Sequence, residues 1–279
     1  MGPRRTFLAT ALAVLCALAS PGALAGATSQ HRTTPHPYRV AFFGDSFGYQ
    51  AAPYLAADLE ATHHIAVTLG AWPGGTMCAA LPQIASTVAK VHPDVVVIQY
   101  YGTAFFACAQ HAPWASPAWI ADYKRNTVQA VKTILAGERH AFVILTDAPA
   151  NLPPPAPDER ARIKDAYREV AAEFPGRVIY VDAGRSVEHQ DGTWAASLPC
   201  THREITKGRC SGPFVSEVNG VRSIRVRADN TVHFCPLLDS AGTIPPPGCP
   251  SYSSGAYRFA RAMAIPVIKH LKLSPQPDP

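Results

Sequence analysis

No stretch rich in lysine and arginine stands in these 279 residues, and no Cys-x-x-Cys pair or histidine cluster has the spacing of metal ligands. With a net charge of only +5, the first absence argues against a nucleic-acid surface. The second leaves no reason to expect a metal, and no cofactor motif stands in for one. A long hydrophobic run is also missing. The apolar stretch through Leu18 is broken by Ser20, Pro21 and Gly22, short of the ~20 residues that a spanning helix needs. Stable membrane insertion is therefore not expected. Internal repeats are absent too, so this is no solenoid or propeller.

The N-terminus reads as an export signal over residues 1–25. Gly2-Pro3-Arg4-Arg5-Thr6-Phe7-Leu8 is a twin-arginine pattern, and Ala23-Leu24-Ala25 is a cleavage site. Both the twin-arginine and the general secretory route stay open. Cys16 follows Leu15, which is too bulky for the small residue that precedes a lipidated cysteine. Residues 26–36 are polar and read as a disordered linker, 37–272 as one domain, and 273–279 as a frayed tail. Cleavage removes Arg4 and Arg5 and no acid, so the charge falls by two, from +5 to +3. The expected product is a monomer in the extracellular space or cell envelope.

Six cysteines remain after cleavage, and an even number in an exported chain favours disulfides. Their positions suggest Cys78–Cys108 across the loops after the second and third strands. Cys200–Cys210 would close one loop, and Cys235–Cys249 would span a proline-rich one.

Short apolar runs at 40–43, 65–69, 95–100, 142–146 and 178–181 alternate with helical patterns at 51–62, 81–91, 119–135 and 159–174. A last helix covers 253–271, with Tyr257, Phe259, Ala260, Met263 and Val267 facing inward. Apolar runs without alternation argue for strands buried on both faces. Right-handed crossovers then give an α/β fold, a three-layer α/β/α sandwich with a five-stranded parallel sheet. Residues 182–251 break the rhythm. They hold four of the six cysteines and Ile244-Pro245-Pro246-Pro247-Gly248, and read as a long disulfide-tied excursion over the active-site face.

Two positions carry chemistry. Ser46 ends the run Arg39–Ser46 in a Gly44-Asp45-Ser46 turn, where a tight turn lifts a hydroxyl above the sheet edge. His233 precedes the last helix and can arrive from elsewhere to take the serine's proton. A helix opening after Ser46 would turn its amides toward developing negative charge.

Gly44-Asp45-Ser46 and the segment Asp229–His233 resemble the two end motifs of the SGNH hydrolases, or GDSL esterases and lipases, in an exported, actinobacterial-type form. The resemblance spans about residues 37–270. It implies a flavodoxin-like sandwich, a Ser-His-Asp acyl-enzyme mechanism, no cofactor, and an ester of a small molecule, lipid or glycan as substrate. The nucleophile would be Ser46 and the base His233. Asp229 would orient the base if the loop bulges by one residue, since counting back three gives Asn230 instead. The oxyanion donors implied are the Ser46 N–H, Gly74 (with Gly75 as the alternative) and Thr103, which stands where the family has asparagine. Acyl transfer to a sugar hydroxyl, or an impaired glycan-binding module, are the other readings.

Overall fold

The first strand shows how the sheet is buried. Val40 and Phe42 point to one face and Ala41 and Phe43 to the other, and all four are inaccessible to solvent. The computed structural model describes residues 37–152, 159–228, 230–235, 249 and 251–274. The expected signal and linker, and the end of the tail, lie outside the described residues.

Five strands, β1 (Tyr38–Gly44), β2 (Ile65–Leu69), β3 (Val95–Gln99), β4 (Phe142–Thr146) and β5 (Val178–Val181), form a parallel sheet in the order β2-β1-β3-β4-β5. That order reverses between β1 and β3, the switch point where open α/β sheets gather their sites. On one face lies α1 (Ser46–Glu60). Its Leu55 and Leu59 pack with Phe259, Met263 and Val267 of the last helix and with Val95 and Val97 of the sheet. On the other lie α2 (Met77–Val91), α3 (Pro117–Gly137) and α4 (Glu159–Glu173), contributing Ile84, Val131 and Tyr167 against Val96 and Ile98. The fold is the expected three-layer sandwich. Among the described residues no helix is long and apolar enough to cross a membrane.

Two expectations about element boundaries and order need correction. Helix α1 begins at Ser46, because the Asp45 side chain accepts the Phe47 N–H and caps the first turn. The excursion after β5 is also more ordered than a loop. It contains β6 (Ser197–Pro199), α5 (His202–Thr206), β7 (Val215–Val218) and β8 (Val221–Arg225), with the strands paired as an antiparallel sheet, β6-β8-β7. Asn219 and Gly220 turn the β7–β8 hairpin with φ of +49° and +74°, the signature of a type I′ turn. The disulfides are those expected: Cys78–Cys108, Cys200–Cys210 and Cys235–Cys249, with Cα separations of 6.1, 6.0 and 5.0 Å.

The closing helix, α6 (Ser254–His270), buries Phe259, Ala260, Met263 and Val267 as expected. Tyr257 differs. It is half-buried, its ring 6.2 Å from Tyr54 and 6.1 Å from Tyr252 at the flank of the sandwich. At the start of α6 the backbone of Gly255 presses on the segment leaving β8: a Cβ there would lie 2.0 Å from Val226 O. Gly255→Ala must therefore push the helix from that segment. We expect a loss of about 3 kcal/mol in stability, read as a lower denaturation midpoint; an unchanged midpoint would mean this contact does not fix α6.

Candidate active site

Strand β1 ends at the C-terminal edge of the sheet, and the first residue of α1 is Ser46. As such its N–H precedes the first intrahelical hydrogen bond, Tyr49 N to Asp45 O, and has no acceptor within the helix. Asp45, fully buried, holds this corner. One carboxylate oxygen accepts from Phe47 N at 3.0 Å and the other from Tyr101 N at 2.5 Å, across to the loop after β3. Burial pushes this carboxyl up to about 6, against the opposing pull of its backbone N–H donors.

His233 reaches the same corner from the far end of the chain. Its Nε2 lies 3.0 Å from Ser46 Oγ. The loop that carries it is tied to α1 one turn beyond the serine, where Phe234 N donates to Gln50 Oε1 at 2.7 Å. Phe47 packs beneath, its ring 5.9 Å from the imidazole and 5.3 Å from Phe234. A single helical turn thus sets both the serine and the anchor of the histidine.

At the opposite edge of the imidazole stands Asn230, whose amide nitrogen is 2.7 Å from Nδ1. Asp229, the expected orienting acid, lies outside the described residues.

Two residues that the sequence did not single out shape this site. Gln50 is one; a polar side chain on the otherwise apolar face of α1 was the signal for it. Arg227 is the other, and nothing in its local sequence marks it. It is 1% exposed, donates to Val232 O at 3.1 Å and Ala150 O at 2.8 Å, and stands over the Phe234 and Phe47 rings at 5.1 and 5.9 Å. Burial lowers its own pKa to about 9. Burial first, and the Arg227 charge second, lower His233 to about 4.

Opposite the histidine, the loop after β2 is stitched to β1 by Gly70 N to Phe42 O at 2.7 Å and Trp72 N to Gly44 O at 3.0 Å. Gly74 has φ +75°, where a side chain would be strained. Of the two glycines, Gly75 already donates its N–H to Trp72 O at 3.2 Å, whereas the Gly74 N–H donates to no other backbone or side-chain acceptor among the described residues. Gly74 is therefore the one with a donor to offer. Thr103 sits beside this loop. Its hydroxyl donates toward Gly74 O at 3.2 Å and Gly75 O at 3.0 Å. In this arrangement its single proton is shared between two carbonyls of the loop, which it ties to the segment after β3. Phe105, 76% exposed, walls the outer side of Gly74. No group of three metal-ligating side chains occurs among the described residues.

No family model matches the chain, and no curated protein matches it. Among solved structures, a Corynascus thermopiles (Myceliophthora fergusii) carbohydrate esterase family 2 enzyme with a carbohydrate-binding domain is 13% identical. The match covers 86% of this chain and 68% of that one, with a TM-score of 0.51. A lipase/acylhydrolase from Enterococcus faecalis is 18% identical over 56% of this chain and 86% of that one, with a TM-score of 0.42. The first likeness shows a shared fold; the second adds no argument to it.

The depressed His233 gives a prediction with a definite sign. The folded state holds the ring neutral between its ordinary 6.5 and about 4, so the unfolded chain binds more protons there, and stability falls as pH drops through that window. His233→Gln should flatten this part of the stability–pH curve. Titration of the ring by NMR should give a midpoint near 4; a midpoint at 6.5 would show that neither burial nor Arg227 acts on it.

Proposed function

We propose that the protein is an exported serine esterase that works through an acyl-enzyme on Ser46. The observation that carries this reading is the 3.0 Å approach of His233 Nε2 to Ser46 Oγ at the switch point of the sheet, and the backbone N–H groups of Ser46 and Gly74 are the oxyanion donors this reading assigns. Ser46 Oγ attacks the ester carbonyl and its proton passes to His233 Nε2. The oxyanion is held by the two N–H groups, with the start of α1 adding positive potential. The intermediate expels the alcohol, which leaves with the proton from Nε2. Water then repeats the sequence on the acyl-enzyme and returns the serine.

For substrate we propose acyl groups on cell-surface glycans. A carbohydrate esterase shares the fold at a TM-score of 0.51, and the exposed Phe105, Phe106 and Trp114 on the loop after β3 offer ring faces on which a sugar can lie. Three disulfides support an oxidising, extracellular setting. In this reading Thr103 acts through Gly74, keeping its N–H aimed, and touches no substrate.

A fluorophosphonate probe should label the mature protein at Ser46, and Ser46→Ala should abolish both labelling and turnover of a short acetyl ester. Equal labelling of Ser46→Ala would sink the proposal. Thr103→Val keeps the shape and deletes the two bonds to the loop. It should lower kcat by about tenfold with KM little changed, on the scale of a partly misaimed oxyanion donor; wild-type kcat would mean the loop needs no brace.

A further inference from the structure

The proton transfer just described requires an unprotonated Nε2, and the polar contacts of the loop bear on which nitrogen carries the proton. Asn230 Oδ1 accepts two backbone hydrogen bonds, from Val232 N at 3.1 Å and His233 N at 3.0 Å. These fix the orientation of the amide, because turning it over would set its NH2 group against two N–H donors. The nitrogen is then the atom that faces His233 Nδ1 at 2.7 Å. An amide nitrogen only donates, so Nδ1 accepts. A neutral imidazole carries one proton, and that proton is left on Nε2, the nitrogen 3.0 Å from Ser46 Oγ.

We propose that Asn230 locks His233 in the tautomer protonated at Nε2, so that the ring donates to Ser46 and the site rests in a form unable to accept the serine's proton. This deepens the esterase reading and rests on it. A doubly protonated ring offers no escape, since it would turn a donor on the Asn230 amide and add a charge beside buried Arg227. The working form differs by the movement of one proton from Nε2 to Nδ1, with no change in total charge. It is reached when the amide lets go of its two backbone donors and presents Oδ1 to the ring. Asn230 is thus a positioning residue that sets how often the base is available.

Asn230→Asp is nearly isosteric and removes the lock. One carboxylate oxygen can keep both backbone donors while the other accepts from Nδ1–H. In a serine protease triad the reverse exchange, Asp to Asn, costs about 10⁴ in kcat through the wrong tautomer. The test combines 15N NMR of histidine-labelled mature protein near neutral pH, with His233 assigned by comparison with His233→Gln, and the rate of fluorophosphonate labelling. The proposal expects protonated Nε2 in the wild type, protonated Nδ1 in Asn230→Asp, and labelling of Ser46 about tenfold or more faster in the variant. A wild-type proton on Nδ1 overturns it, as does Asn230→Asp labelling no faster than the wild type. Loss of labelling in Asp229→Asn, with Asn230→Asp unchanged, would overturn it in favour of Asp229. Should nothing label Ser46 in any variant, the esterase reading fails, while the NMR still decides the tautomer.

Discussion

The buried carboxylate of Asp45 is the constraint on which the corner of this molecule depends. It accepts from the backbone of Phe47, Gly48 and Tyr101, so the end of β1, the first turn of α1 and the loop after β3 share one acceptor. Each of those N–H groups would otherwise be an orphan at a helix start or a strand end, and leaving one unpaired in the interior costs about 1–3 kcal/mol. Ser46 owes its position to this arrangement. Its neighbour occupies the cap, so the serine side chain is left free of the capping role that such residues usually fill.

A second, more polar frame holds the histidine's loop. Arg227 reaches Ala150 and Val232, and Ala150 N in turn donates to Glu188, which is paired with Arg160. Asp147 and Asp182 join through Arg160 and Lys164. Burying so many charges contributes little net stability, since desolvation offsets their attraction. What it does is tie elements together: Arg227 links the segment after β8 to Ala150, on the loop that follows β4. Arg227 belongs to that frame, and its charge beside His233 is the electrostatic consequence.

The sandwich was legible because burial on both faces leaves a plain trace, runs such as Val95–Gln99 with no polar alternation. The antiparallel sheet was not, as β7 and β8 are largely exposed and lack that trace. Asn219-Gly220 was the available signal, a strong hairpin dipeptide set in a region dominated by cysteine and proline. At the site, Ser46 and His233 were readable from their places at the two ends of the fold. Thr103 was read by position alone, and its short side chain turns back to Gly74 and Gly75. Arg227 could not be read at all, because a lone arginine in sequence is ordinarily a solvated one.

The contact between Asn230 and His233 has an evolutionary side. Asparagine and aspartate codons differ by a single A-to-G transition, and the Asx turn at this position accepts either residue without altering its two backbone bonds. An amide and a carboxylate beside the imidazole are thus adjacent in sequence space, one substitution apart. A single nucleotide therefore decides which partner the imidazole of His233 meets, with the backbone, Ser46 and His233 themselves untouched.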